Sequence, residues 1–409
     1  MSVPNRLNRT VKLSIVLILL TLSSLLDIIP VSANTIIVDI TYDEDVDNSV
    51  CSLREAIYAA WYGTTYNGCE SGSSGADEII LSSETYTVDN QLPNITDVVV
   101  ISGVSSSQTI IQASSCNPTQ ETCSNDHELF WVPWTGTLTL SNLTIQNGQN
   151  IDNLNGGVIY NEGVVNIDHS VFTANRGAKG GVILNLGGTV FISNSTFASN
   201  MAQNTGGFMN AGVIFNNTTG TVNIETSTFT GNSALNGGAI QNAGVLEIVN
   251  STFSENMATN KGGGIINDGT LTSINCTFSE NSATVSGAGI YNNNVGTLNL
   301  TNTLIGNSTS GGDCVTEPAI GTHLNNLIED GSCSAHYSGD PSLGPLANNG
   351  GPTQTHALQS SSNAIDNGLT LRYPTTDQRG VSRPQGAGYD IGAYEREPFS
   401  YIYLPLIMK

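Results

Sequence analysis

Between Gly156 and Asn307 the polar and apolar positions of the chain recur in one phase. Short segments such as Thr189-Val190-Phe191-Ile192, Thr221-Val222-Asn223-Ile224 and Val245-Leu246-Glu247-Ile248 carry apolar residues two apart, the spacing that turns them to one side of an extended strand. Glycine-rich steps alternate with these segments: Gly156-Gly157-Val158-Ile159, Gly180-Gly181-Val182-Ile183, Gly206-Gly207-Phe208-Met209, Gly237-Gly238-Ala239-Ile240, Gly262-Gly263-Gly264-Ile265 and Gly287-Ala288-Gly289-Ile290. They start 24, 26, 31, 25 and 25 residues apart. An asparagine stands two residues after each step, at Asn161, Asn185, Asn242, Asn267 and Asn292, with Ala211 as the exception. A second series reads Phe-x-x-Asn: Phe172 to Asn175, Phe197 to Asn200, Phe229 to Asn232, Phe253 to Asn256 and Phe278 to Asn281, with Leu304 to Asn307 as a degenerate copy.

A unit of about 25 residues with three short strands, each ended by Gly or Asn, cannot bury an apolar face alone and must stack on its neighbours. Parallel stacking at roughly 4.8 Å per rung sets Phe over Phe, Ile over Ile, and each Asn amide in a hydrogen-bonded ladder. The pattern predicts an all-β chain, a right-handed parallel β-helix of about ten rungs. The 31-residue interval predicts a loop around Gly212 to Asn217 that protrudes and leaves the register intact. Glu78 to Leu81, Thr85 to Val88, Val98 to Ile101 and Thr109 to Ile111 read as earlier, less regular strands.

Such a stack needs closed ends. Ser52-Leu53-Arg54-Glu55 is a capping-box pattern that opens a short helix through Tyr62, with Leu53, Ile57, Ala60 and Trp61 available to cover the first rung. A turn-rich segment follows the repeats. The chain therefore divides into a leader (1–33), an N-terminal cap (34–75), the β-helix (76–311), a turn-rich C-terminal cap (312–397) and a tail (398–409).

The leader carries Arg6, Arg9 and Lys12, then the apolar run Leu13 to Leu26, then Val31-Ser32-Ala33. That is the pattern of a secretory signal peptide cut before Asn34; the run is shorter than the ~20 residues of a bilayer span. No other stretch is apolar enough to cross, so no transmembrane helix is expected in the mature chain. Cleavage removes three basic residues and one acidic residue and takes the formal charge from −22 to −24. A surface of that charge repels nucleic acid and anionic lipid, and disfavours a polyanionic substrate unless bound cations bridge the two. Export permits disulfides, and closeness along the chain pairs Cys51 with Cys69, Cys116 with Cys123, and Cys314 with Cys333, leaving Cys276 over.

The run Cys51-Ser52-Leu53-Arg54-Glu55-Ala56-Ile57 resembles the signature of CSLREA-domain proteins, and the glycine-rich and Phe-x-x-Asn repeats resemble those of chlamydial polymorphic outer membrane proteins. Both belong to the pectin-lyase-like β-helix superfamily. The segments at 339–358, 364–366 (Ala-Ile-Asp), 376–384 and 390–395 resemble the choice-of-anchor family of bacterial surface proteins. Together the resemblances span nearly the whole mature chain and imply export and display at the cell surface or outer envelope. The end, from Tyr401 to Lys409, resembles a short terminal tag of exported proteins and is read as a sorting or attachment signal. Family members often carry a cysteine just before the Asp390-Ile391-Gly392-Ala393 segment; Tyr389 stands there in this chain.

Lyases on such folds need a carboxylate cluster holding Ca²⁺ and an Arg or Lys base, and hydrolases need facing carboxylates. In the regular repeats the basic residues are Arg176, Lys179 and Lys261. The best charged group is Asp168-His169 beside Arg176 and Lys179, although His169 occupies a slot filled by Asn194, Asn250 and Asn275 elsewhere. Asp268 and Glu162 share a repeat position before a turn glycine, and Cys276 occupies the slot of Ser170, Ser195, Ser227 and Ser251. Asp43, Asp45 and Asp47 alternate in a spacing that can surround Ca²⁺, but Asn48 stands where the loop glycine would be and Glu55 comes one residue late. Asp377, Arg379, Arg383 and Asp390 are expected to knit the C-terminal cap. No other cofactor is implied. The expected function is a non-catalytic adhesin-like or structural module, with an extracellular glycan or cell-envelope component as partner. The alternative, a polysaccharide lyase or glycoside hydrolase, requires three or more charged residues on adjacent rungs of one face.

Overall fold

A computed structural model describes residues 34–397 apart from 74, 114–126, 152–154, 204–209 and 318–320. The leader, the Cys116–Cys123 pair, the Gly206 to Met209 step and the tail lie outside the described residues. The alternation read from the sequence builds a parallel β-solenoid. Sheet 1 has eleven strands, from Asn34–Ile37 through Val164–Asp168, Thr189–Ser193, Thr221–Glu225, Val245–Val249 and Thr270–Ile274 to His323–Leu324. Sheet 2 has ten, from Thr85–Val88 to Leu327–Ile328; sheet 3 has six two-residue strands, from Gln149–Asn150 to Ser282–Ala283; sheet 4 has eight, from Phe130–Val132 to Cys314–Thr316. One turn visits them in the order 4, 1, 2, 3, as in Ile159–Asn161, Val164–Asp168, Val171–Thr173 and Arg176–Gly177. Eleven strands in sheet 1 make a rod about 48 Å long at the usual strand spacing.

Inside the rod like stacks on like. Phe172, Phe197, Phe229, Phe253 and Phe278 form one column with ring centroids 5.0, 4.8, 4.7 and 4.8 Å apart. Two asparagine ladders run beside it. In the first, Nδ2 of Asn161, Asn185, Asn216, Asn242 and Asn267 donates to Oδ1 of the next member at 2.6–2.8 Å. In the second, Asn175, Asn200, Asn232 and Asn256 donate in the same way, ending on Asn281, at 2.9–3.1 Å.

The first ladder corrects the reading of the long repeat. Ile183 pairs with Ile214 and Asn185 with Asn216, so Gly212 to Asn217 is the rung itself and not a protruding loop. The added length falls earlier in the chain, after Ala202 and before Ala211. The glycine column gives the reason: a Cβ on Gly181 would stand 2.0 Å from the Gly212 carbonyl oxygen, and one on Gly212 1.9 Å from that of Gly238. Gly212 therefore fills the rung position assigned to Gly207, and the gap at Ala211 closes with Asn216.

Helix α1 (Leu53–Tyr62) is fixed by a complete capping box, Ser52 Oγ accepting from Glu55 N and Glu55 accepting from Ser52 N. It buries Leu53, Ala56, Ile57, Ala59 and Ala60, but Trp61 is 47% exposed and stacks outward with Tyr58 and Tyr62. The burial of Glu55 and Ala59 turns the covered face away from position 61, which is left at its exposed edge. The ladder also begins before the helix and ends after Asn307: Asn34–Ile37 pairs with Asp77–Ile80, and Cys314–Thr316 and Leu327–Ile328 extend sheets 4 and 2. Those strands lack the repeat motifs that mark the others. Cys51–Cys69 and Cys314–Cys333 are disulfides.

The first part of the C-terminal segment, to Ile328, continues the rod, whereas the part from Leu343 onward does not sit on its end. It folds back along the flank, over the outer face of sheet 2 and its corner with sheet 1. Thr228 Oγ1 donates to the Gln354 carbonyl, Thr252 Oγ1 to Gln378 Oε1, and Ala393 N to Thr277 Oγ1. Asn302 exchanges two bonds with Leu369, and Leu358, Ala364 and Ile391 pack on Leu304 and Leu327. Arg379–Asp377 at 2.7 Å and the buried Arg383–Glu395 pair at 2.9 Å hold this strap together, while Asp390 accepts from the backbone of Asp366 and Arg396.

Phe253→Ala should cost about 3–5 kcal/mol in urea denaturation, because rings pack on both of its faces and the gap cannot collapse without breaking register. His356, clamped between the Gly344 carbonyl and Ser254 Oγ, is held below the ordinary imidazole value, chiefly by burial and against the pull of the Gly344 bond, Glu280 and Glu255. Its neutral form therefore supports the fold fully above about pH 6.5, and that support is lost as pH falls through the depressed folded value. His356→Gln should flatten this acid-side decline in the urea midpoint.

Candidate functional site

Strand alternation turns the first, third and fifth residues of each sheet 1 strand to the outside. Two outward rows matter. One runs Asp168, Ser193, Glu225, Val249 and the other Asn166, Phe191, Asn223, Glu247, each over four consecutive rungs. Where the strap crosses this face, Tyr373 reaches over it, and its hydroxyl donates to Glu225 Oε1 at 2.6 Å. The result is a groove of about 390 Å³ lined by Phe191, Ser193, Asn223, Glu225, Glu247 and Tyr373. Phe191 is 46% and Tyr373 64% exposed, so two aromatic faces meet solvent here. No Lys or Arg lines it. The bond to Glu225, then burial, then the charges of Glu225 and Glu247 push the Tyr373 hydroxyl up to about 12.

The sequence candidates are scattered by the fold. Asp168 points out of sheet 1, whereas Arg176 belongs to sheet 3, a full sheet 2 strand further on, and the Lys179 ammonium lies 5.8 Å from the Phe215 ring on the sheet 4 side. They do not converge on one bond, because turns separate residues that are close in sequence. Asp168 is instead a hub: Ser193 Oγ and Asn194 Nδ2 donate to Oδ1, and His169 Nδ1 meets Oδ2 at 2.7 Å. Burial pushes its carboxyl up, but these hydrogen bonds outweigh burial and hold it below the ordinary carboxylate value. His169 has φ of 46°, the same left-handed turn position as Asn142, Asn194, Asn250, Asn275 and Asn302.

Asp43 is paired with Arg54 at 2.7 Å, and Asp45 accepts from Tyr66 and Asn67, while Asp47 lies exposed. Among the described residues no three His, Cys, Asp or Glu side chains come together as a metal-binding group. Cys276 is fully buried between the Ile248 and Ile274 carbonyls, and burial pushes its thiol up to about 11, which makes it inert as a nucleophile. Sequence reading missed Glu225, Phe191 and Tyr373. The outward positions of the first two were visible in the strand alternation; the approach of Tyr373, 148 residues from Glu225, was not.

The Chlamydia polymorphic membrane protein repeat matches this chain three times, at 226–243, 250–268 and 275–293. These matches are rungs of the solenoid beside and beyond the groove. The chain is thus a parallel β-solenoid carrying polymorphic-membrane-protein repeats. Among solved structures it resembles pectate lyase Pel9A, at 14% identity and a TM-score of 0.49, over 90% of this chain and 98% of that one. No curated protein matches it. No helix among the described residues is long and apolar enough to cross a membrane.

In a tyrosinate difference titration against Tyr373→Phe, Tyr373 should ionise near 12. Glu225→Gln should bring it down toward about 10, the ordinary phenol value.

Proposed function

We propose that this chain is a surface-displayed β-solenoid that binds an uncharged glycan along sheet 1 without cleaving it. The carrying observation is the groove between Phe191 and Tyr373, in which exposed aromatic faces stand beside Glu225, Glu247 and Asn223. A pyranose offers a C–H face that packs on such rings and hydroxyls that donate to carboxylates and amides. The excess of acid in the groove and over the whole chain argues against uronates and other anions. The signal-peptide pattern and the polymorphic-membrane-protein repeats support display outside the cell, with the C-terminal tail as the attachment element.

The absence of a cationic base among the lining residues argues against eliminative cleavage. Hydrolysis is the second reading, favoured by Glu225 and Glu247 on adjacent strands of one face. Titration of the mature chain against neutral oligosaccharides should show binding that Phe191→Ala and Tyr373→Ala each weaken by about tenfold, with no new reducing ends. Reducing ends that vanish in Glu247→Gln would replace the binding reading with the hydrolytic one; unchanged affinity in both aromatic variants would remove the groove from the account.

A further inference from the structure

The N-terminal cap carries a group of aromatic side chains that its packing on the rod does not use. Trp61 and Tyr62 follow Tyr58 by three and four positions on α1, which brings the three rings to one flank of the helix. The rings lie within 10–21° of parallel, with centroids 5.2–6.1 Å apart. Tyr66, beyond the Gly63 cap, tilts onto Tyr58 and Tyr62 at 5.0 and 5.5 Å. Near-parallel rings at such separations are offset, so each leaves part of its face bare. Trp61 is 47% and Tyr62 53% exposed, and the bare faces therefore meet solvent.

The field over these rings is negative from three sources. Each aromatic face carries the negative side of its quadrupole. The helix ends at Tyr62 with no basic residue in its last turn, so the negative end of its dipole meets no cation of the protein there. Asp45 stands at the rim, where Oδ1 accepts from the Tyr66 hydroxyl at 3.0 Å and from Asn67 Nδ2 at 3.1 Å. Its loop is pinned to the helix by Val46 N, which donates to Glu55 Oε1 at 2.9 Å. Arg54 is the one basic residue between positions 34 and 75, against seven Asp and Glu. Its guanidinium is committed to both Asp43 oxygens and to the Asn90 and Gln91 carbonyls. The protein lays cations on rings elsewhere, Lys179 on Phe215, Lys261 on Tyr291 and Arg379 on Tyr394, but among the described residues no Lys or Arg covers the four rings of the cap.

The chemistry of the site selects among cations. Metal ions and primary ammonium groups hold water tightly and exchange it for oxygen ligands, whereas here the nearest carboxylate oxygen is already engaged. A trimethylammonium group spreads its charge over methyls, packs on ring faces as an apolar body, and is attracted by their quadrupoles. We propose that Tyr58, Trp61, Tyr62 and Tyr66, with Asp45 at their rim, form a binding site for a trimethylammonium group. This site shares no residue with the sheet 1 groove and stands or falls apart from it.

The test is titration of the mature chain with choline chloride, read by calorimetry and by the NMR signal of the ligand methyls. Choline should bind saturably, and its uncharged carbon isostere 3,3-dimethyl-1-butanol about tenfold more weakly. Trp61→Ala should weaken choline binding by about tenfold and Asp45→Asn by about threefold, with Tm unchanged because neither side chain faces the core. Phe191→Ala and Tyr373→Ala should leave it as it is. Phosphatidylcholine vesicles identify the source: cosedimentation lost in Trp61→Ala assigns the group to a lipid head group, and choline binding without cosedimentation assigns it to a free or polymer-borne choline; each upholds the site. Equal binding of the isostere would reduce the cluster to an apolar patch and overturn the proposal. Failure of choline to saturate, choline affinity indifferent to Trp61→Ala, or Trp61-dependent binding of a methyl glycoside in place of choline would overturn it as well.

Discussion

The side-chain ladder of asparagines is the interaction on which the rest of the rod depends. Each amide donates to the next rung and accepts from the one before, and the same Nδ2 also reaches backbone carbonyls such as Gly188 for Asn185 and Phe172 for Asn200. The turn backbone would otherwise carry buried carbonyls with no strand to answer them. All links in both ladders point the same way along the rod, so the amide dipoles add and each bond polarises the next. Register follows: a slip of one residue would carry every asparagine, phenylalanine and isoleucine to the wrong side of its strand at once.

That regularity made the interior legible and the exterior only partly so. Inward residues must repeat because they touch their own kind in neighbouring rungs, and a repeating constraint leaves a repeating sequence. The one misreading inside the rod arose where two glycine steps compete, at Gly207 and Gly212; asking which of them leaves an asparagine in phase, Asn216, decides it. Outward residues repeat only where something covers them. Glu225 and Phe191 break the pattern of their columns, and they are residues that line the sheet 1 groove.

The C-terminal segment was legible in composition and not in position. Its turn-forming residues and its Asp377–Arg379 pair mark an irregular, self-knit segment, but nothing local says which face it lies against. The information sits on the rod, where outward threonines at 228, 252 and 277 become fully covered although comparable positions in earlier rungs, Val171 and Thr196, are not. A run of small hydroxyl residues on an outer face can await either water or another strand of the same chain, and the sequence alone does not distinguish them.

Because the strap lies across five successive strands of sheet 2, a pull on Glu397 is not delivered to the terminal rung alone. Load applied to the end of a solenoid peels one turn at a time, each giving way before the next is stressed. Load applied through the strap runs parallel to the contact surface and strains the links at Thr228, Thr252, Thr277 and Asn302 together. A tether placed beyond Glu397 would therefore load the flank of the rod over several rungs at once, as a lashing loads a beam along its length.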